Sequence, residues 1–506
     1  MTNRSPSGLR AVGFDLDGTL FDHRGAATSG AVRFLESLGV TASASAVDRW
    51  FAAETEQFER WRAGQISVQK SDRRAFKTLA AELGDGDPGA HGARRPPRVT
   101  WPPGRPAARR RHAAVECTMT QTPAASPLLH LGVLAESRKP DERRLPIHPA
   151  HFERIDPDLR ANIILERGYG RRFGVTDDQL EPLVGAMADR DELIAASDVV
   201  LLPKPQVSDL EDLRDGQVLW GWPHCVQDPA LTQVAIDKRL TLIAWESMNH
   251  WRSDGGFSLH VFHKNNELAG YCSVIHALQL CGSTGDYGRR LTAVVIGFGA
   301  TARGAVTALN AHGIHDVRVL TNRDIAAVGS PIPSVDMLQI SQDDHDPSGN
   351  TVKTEDGPVP LAPYLAENDI VVNCTLQDPN APLTYLRTED LGVFRPGSLI
   401  VDVSIDVGMG FEWAQATTFA EPMITVGEST NYYAVDHSPS LLWNSTTWEI
   451  SEALMPFLRP VMEGPSSWAD SDTIRRAVEI EDGHVRNPAI LAFQGRSDEY
   501  PHVVAG

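Results

Sequence analysis

Residues 291–324, LTAVVIGFGATARGAVTALNAHGIHDVRVLTNRD, constrain the fold more than any other stretch. An apolar run from Ala293 to Ile296 enters Gly297-Phe298-Gly299-Ala300-Thr301-Ala302. A helical pattern follows, with Ala305, Ala308 and Leu309 on one side, and His312-Gly313 stops it. A second apolar run, Val317 to Leu320, ends at Thr321-Asn322-Arg323. Strand, glycine turn, helix and strand in that order make a dinucleotide-binding βαβ unit. Gly297 is expected to turn tightly, Gly299 to admit a pyrophosphate, and Ala302 to pack the helix on the sheet. Arg303, in the same first turn, joins them as a candidate cofactor contact. The free N–H groups at the helix start would hold the phosphates.

The tip of the second strand bears on which coenzyme fits. An NAD site usually places Asp or Glu there, against the ribose hydroxyls. Here Thr321, Asn322 and Arg323 occupy the tip, and Asp324 comes only after the turn. A guanidinium at Arg323 can fork onto a 2′-phosphate, with Asn322 beside it and no preceding carboxylate to repel one. NADP(H) is therefore the expected cofactor; the alternative is that Arg323 is a solvated turn residue.

The chain has 506 residues, enough for two or three domains at about 100–200 residues each. A formal charge of −19 argues against nucleic acid or an acidic membrane as partner. Five scattered cysteines, without metal spacing, suit a reducing compartment. The N-terminus lacks a signal-peptide core and no run reaches membrane-spanning length, so a cytoplasmic, soluble protein is expected.

The N-terminal quarter reads differently from the rest. LRAVGFDLDGTL, residues 9–20, brings Asp15 and Asp17 together after a strand, where two carboxylates can face one Mg²⁺. It resembles the first motif of haloacid dehalogenase-type hydrolases, which implies a phosphatase-like nucleophile and acid/base. The later motifs of that family do not follow, so residues 1–84 are expected to be a truncated fragment. Residues 85–127 are rich in Pro, Gly and Arg with no hydrophobic period, and read as a disordered linker. Met119 opens a stretch that reads like an independent start.

From residue 128 strands and helices alternate. Strands are expected at 129–134, 162–165, 198–202, 218–220 and 241–244, then at 369–373 and 398–403. Helices are expected at 151–155, 230–240, 265–281, 445–458 and 471–479. The pattern predicts an α/β fold of two Rossmann-like doubly wound domains with a cleft between them. Residues 128–264 and 433–506 would form a substrate domain, and 265–432 an NADP-binding domain. Polar residues just past strand ends are the ligand candidates. Arg144, in ERRLP, suits a carboxylate; Lys204, in LLPKPQ, a carbonyl or carboxylate; His224, in WGWPHCV, a proton transfer. Glu267 opens the bridging helix, and Asp402 and Asp406 lie four apart in VDVSIDVGMG. Each has a plainer reading as a structural residue, and Trp220 and Trp222 would favour a non-catalytic module if they filled the cleft.

With those residues in hand, the chain from about residue 129 resembles the alanine dehydrogenase and transhydrogenase domain family. The likeness is carried by LGVLAESRKPDERRLPIHP, VVLLPKPQ, WGWPHCVQDPALTQVAIDKRLTLIAWE, GFGATARGA and VDVSIDVGMGFE. HVFHKNNELAGYCSVIHALQL and NYYAVDHSPSLLW complete it, and HKNNELAGYCSV, TNR and VDHSPSLLW point to the ornithine-condensing branch. The resemblance implies that Arg144 and Lys204 bind pyruvate, that His224 donates a proton, and that Asp406 is a second-lobe catalytic aspartate. It implies NADPH-dependent condensation of pyruvate with the side-chain amine of L-ornithine, lysine being possible in its place. The alternative is alanine dehydrogenase-type amination with ammonia. Glu267 and Asp436 are the candidates for holding the amino acid's far ammonium. A homo-oligomer, such as a tetramer, is implied as well.

Overall fold

The computed structural model describes residues 127–322, 335–342, 349–375, 383–405 and 409–504. The dehalogenase-like fragment with Asp15 and Asp17, the linker up to residue 126, and Arg323 and Asp406 lie outside the described residues.

The chain first lays down six short strands: β1 (Leu131–Val133), β2 (Ile163–Glu166), β3 (Ala186–Ala188), β4 (Val199–Leu202), β5 (Val218–Gly221) and β6 (Thr241–Ala244). Helices α1 (Arg190–Ala196) and α2 (Pro229–Asp237) are among the crossovers. A hairpin, β7 (Asn249–Trp251) and β8 (Phe257–His260), leads into the long helix α3 (His263–Leu280). The glycine-turn unit then appears as expected, with β9 (Thr292–Ile296), helix α4 (Ala300–Ala311) and β10 (Asp316–Thr321). Further strands are β11 (Asp336–Ser341), β12 (Thr351–Thr354), β13 (Gly357–Pro360), β14 (Ile370–Asn373), β15 (Thr384–Leu386), β16 (Leu399–Asp402), β17 (Gly410–Phe411), β18 (Met423–Val426) and β19 (Thr430–Tyr433). The chain returns through α5 (Trp443–Glu463) to β20 (Val478–Glu481) and β21 (His484–Val485).

Two large sheets result. In the first, β3-β2-β1-β4-β5-β6 are all parallel, and β20 and β21 extend that edge antiparallel. In the second, β11-β10-β9-β14-β16-β19 are parallel, with antiparallel strands on both flanks. Each parallel set repeats the 3-2-1-4-5-6 order of a doubly wound sheet, whose strand order reverses beside its first strand. Both faces of each sheet are covered. In β9, Ala293 and Val295 enter one core while Val294 and Ile296 enter the other. That is why the central strands are continuous apolar runs rather than alternating ones.

Two local expectations need correction. Residues 471–479 are not one helix: the helix stops at Ala477, and Val-Glu-Ile-Glu continues as β20. There the period of two buries Ile480 against the first sheet, where a helix would turn it away. The segment around HFERI is a 3-10 turn, Pro149–Arg154, opened by proline rather than a regular helix. Trp220 and Trp222 are both buried, packed with Trp245 and, at Trp222, with Phe262.

Helices α3 and α4 cross in backbone contact, and two glycines allow it. A Cβ on Gly270 would lie 1.9 Å from the Thr301 carbonyl oxygen, and one on Gly304 1.7 Å from that of Glu267. The start of α4, beside the glycine turn, is thus fixed against the first turns of α3.

Candidate active site

The site is built at the carboxyl ends of β1, β4 and β5, flanking the point where the first sheet reverses its strand order. Lys204 sits between Pro203 and Pro205 just beyond β4, and His224 follows Pro223 just beyond β5. The Trp222 N–H donates to the Pro203 carbonyl at 2.9 Å and ties the two loops together. Lys204 Nζ and His224 Nε2 meet at 2.8 Å. His224 holds a positive φ of 50°, and its N–H donates to Glu246 Oε1 at 2.6 Å. The Glu246 carboxyl oxygen therefore grips the residue in a conformation that a non-glycine side chain rarely adopts.

Burial sets the proton inventory. It pulls the Lys204 ammonium down to about 8, with Asp436 opposing the shift and Arg144 and Lys139 adding to it. Burial and then the Lys204 charge push His224 well below its ordinary value, so the imidazole is neutral near pH 7. Two cations 2.8 Å apart would repel, so the pair carries one transferable proton, with His224 Nε2 accepting from Lys204. Behind it, burial and the neighbouring Glu479 raise the Glu246 carboxyl above its ordinary value.

Arg144 is locked rather than free. Its Nε donates to Glu142 Oε1 at 2.8 Å, its Nη2 to Glu142 Oε2, and its Nη1 to Asn265 Oδ1 at 3.1 Å. Its guanidinium carbon stands 5.2 Å from the Trp222 ring centroid. Of five guanidinium N–H groups, three are thereby directed and two remain for a carboxylate. Burial opposes ionisation of Glu142, but Arg144 outweighs it and holds the carboxyl at about 2, with a further bond from Ser440 Oγ at 2.8 Å.

Lys139, Glu142, Asn265 and Ser440 complete this cluster without having been singled out from the sequence. Lys139 was legible in principle, since it lies in the same post-strand loop as Arg144. Asn265 and Ser440 carried no signal of their own. Lys139 Nζ donates to Asp436 Oδ2 at 2.7 Å, and His437 Nδ1 lies 2.6 Å from Asp436 Oδ1. Burial opposes ionisation of Asp436, but His437, Lys204 and Lys139 outweigh it and hold the carboxyl well below the usual range. Of the two candidates for an ammonium, Asp436 thus belongs to the cluster. Glu267 pairs instead with Lys264 one turn away, at 2.9 Å along the same helix.

In the second sheet, Gly297 has a φ of 111°, and a Cβ there would lie 2.9 Å from the Cys374 carbonyl oxygen. The space beside Gly299 is open, Ala302 is fully buried, and Arg303 lies 5.1 Å from the Phe298 ring centroid. A turn that rejects side chains, next to open space at a helix start, fits a dinucleotide pyrophosphate. Thr321 is buried at the end of β10 and Asn322 is exposed after it. Asp402 does not present a free carboxylate. It is buried at the end of β16, where Asn373 Nδ2 donates to it at 3.0 Å and the Tyr432 hydroxyl at 2.8 Å. It also accepts the backbone N–H groups of Ser404 and Ile405, at 3.2 and 3.3 Å. Among the described residues there is no cluster of three or more potential metal ligands, and no helix is long and apolar enough to cross a membrane.

Comparison with known proteins bears directly on this arrangement. The N-terminal domain model of alanine dehydrogenase/PNT matches residues 132–269, and the C-terminal domain model matches residues 290–488. The chain carries both domains of the alanine dehydrogenase/PNT family. Members of this family are pyridine-nucleotide-dependent oxidoreductases acting on CH–NH donors. An N(5)-(carboxyethyl)ornithine synthase from Clostridium botulinum is 24% identical over 338 residues, covering 64% of this chain and 92% of the relative. An alanine dehydrogenase from Halomonas elongata is 27% identical over 355 residues, covering 66% and 89%. The structure of an L-alanine dehydrogenase superposes with a TM-score of 0.57 at 18% identity, over 72% of this chain and 99% of that one, which is a likeness of fold.

Proposed function

We propose that the protein condenses pyruvate with the side-chain amine of L-ornithine, using NADPH, to give N(5)-(carboxyethyl)ornithine. The observation that carries the reading is the 2.8 Å Lys204–His224 pair beside an Arg144 with two undirected N–H groups. A carboxylate on Arg144 and a ketone oxygen at Lys204 would orient a 2-oxo acid with its carbonyl carbon open to attack. Neutral His224 takes a proton from the attacking amine while Lys204 gives one to the ketone oxygen, and the proton held on His224 then leaves with that hydroxyl as water, giving a protonated imine. Asp406, by the family resemblance, would serve as a further catalytic aspartate. Gly297, Gly299, Ala302, Arg303, Asn322 and Arg323 would hold the coenzyme, which when bound supplies hydride to the imine carbon. The preference for NADPH rests on Arg323 and on the absence of a carboxylate at Thr321.

A second reading, amination with ammonia, is supported by the likeness to the Halomonas elongata alanine dehydrogenase. Incubating the protein with pyruvate, NADPH and ornithine, lysine or ammonia in turn, with product mass as readout, decides between them. Turnover with ammonia alone would overturn the condensation reading.

A further inference from the structure

Lys139 and Asp436 form an ion pair of a different kind from Glu142 and Arg144. The latter side chains are 1% and 3% exposed, whereas Lys139 and Asp436 keep 21% and 29% of theirs open. The ammonium directs one of its three N–H groups at Asp436. The carboxylate has two of its roughly four acceptor directions occupied, by Lys139 and by His437. His437 is itself buried and held edge-on against Phe419, with ring centroids 4.9 Å apart, which fixes the Asp436 carboxylate in place. Both members can thus accept a ligand without parting. The pair also lies within electrostatic reach of Lys204 and His224, yet makes no hydrogen bond to either. It stands beside the reacting groups rather than on them.

We infer that Lys139 and Asp436 together receive the zwitterionic head of the amino-acid substrate, Lys139 taking its α-carboxylate and Asp436 its α-ammonium. This rests on the condensation reading above. The charges match: an amino-acid head is a neutral pair of opposite charges, and so is its receptor. Arg144 and Lys204 then remain for the oxo acid. Three methylenes separate the head of ornithine from its reactive nitrogen, which suits a receptor adjacent to the Lys204–His224 pair. The neighbouring Arg143–Asp141 pair is more exposed, at 50% and 37%, and so is set less firmly in place. Ammonia has no head group and would leave Lys139 and Asp436 without a ligand.

The test is a grid of variants against truncated amines. Wild type, Lys139→Gln and Asp436→Asn are assayed with pyruvate and NADPH against ornithine, 5-aminopentanoate, 1,4-diaminobutane and butylamine. Amines that do not turn over are measured as competitive inhibitors. Lys139→Gln should raise KM for ornithine and 5-aminopentanoate by about tenfold to a hundredfold, the factor of one charge-assisted hydrogen bond. It should leave 1,4-diaminobutane and butylamine little changed. Asp436→Asn should weaken ornithine and 1,4-diaminobutane instead, and Lys139→Arg should recover part of the ornithine preference. Coenzyme dissociation constants close to wild type show that the variants fold. If both variants keep the wild-type preference for ornithine over butylamine, the receptor is wrong while condensation stands. If the wild type uses ammonia and none of the amines, both readings fall together.

Discussion

Replacing Glu142 by Gln tests how the oxo-acid end of the site is held. The substitution keeps shape and removes the charge that Arg144 faces through two hydrogen bonds. A carboxyl held at about 2 instead of 4.5 corresponds to about 3 kcal/mol, at about 1.4 kcal/mol per tenfold change in proton affinity. Both side chains are almost wholly buried, so solvent screening takes little from that figure. The sign follows from the lowered value. The contribution is fully present above the unfolded carboxyl's 4.5 and is lost as pH falls towards 2. Urea unfolding at pH 7, followed by the fluorescence of Trp222 and its neighbours, should therefore show Glu142→Gln less stable by about 3 kcal/mol. At pH 3 the difference should shrink to roughly half that. Because Arg144 loses its orientation, KM for pyruvate should rise as well. A difference below about 1 kcal/mol at pH 7, or one that does not narrow with acid, would refute this account of Arg144.

Three further outcomes are expected. The kcat/KM for pyruvate should fall above about pH 8, where Lys204 loses its charge, and Lys204→Met should cost at least about a hundredfold and abolish that limb; an unchanged limb in the variant assigns it elsewhere. Gly304→Ala should lower stability by about 3 kcal/mol and weaken coenzyme binding, because the new methyl meets the Glu267 carbonyl; a calorimetric Tm equal to wild type would contradict the helix crossing. Arg323→Ala should lower the ratio of NADPH to NADH efficiency by about tenfold or more, and an unaltered ratio removes Arg323 from the specificity argument.

Much of the architecture was legible because central strands in a doubly wound sheet are short apolar runs, and their carboxyl ends are where ligands bind. That logic alone brought out Arg144, Lys204 and His224. Position within a loop did not reveal pairing. Asn265 lies 121 residues from Arg144, and Ser440 lies 298 from Glu142, so neither carries a local signature. Glu142 lay in view two residues before Arg144, yet only the fold shows the pair buried together. Glu267 and Asp402 were plausible as acids in the right segments. Their partners, Lys264 for one and Asn373 with Tyr432 for the other, decide their roles, and those contacts depend on helix phase and sheet neighbours. The strand at β20 was hidden because a helix precedes it directly, without a glycine or proline between them.

The central claim is that one 2-oxo acid is held by Arg144, Lys204 and His224 together. A crystal soaked with coenzyme and pyruvate tests it most directly. The account predicts carboxylate oxygens on the two undirected N–H groups of Arg144, and the ketone oxygen within hydrogen-bond distance of Lys204 Nζ. Pyruvate bound away from Arg144, with Lys204 and His224 bonded only to each other, would contradict it.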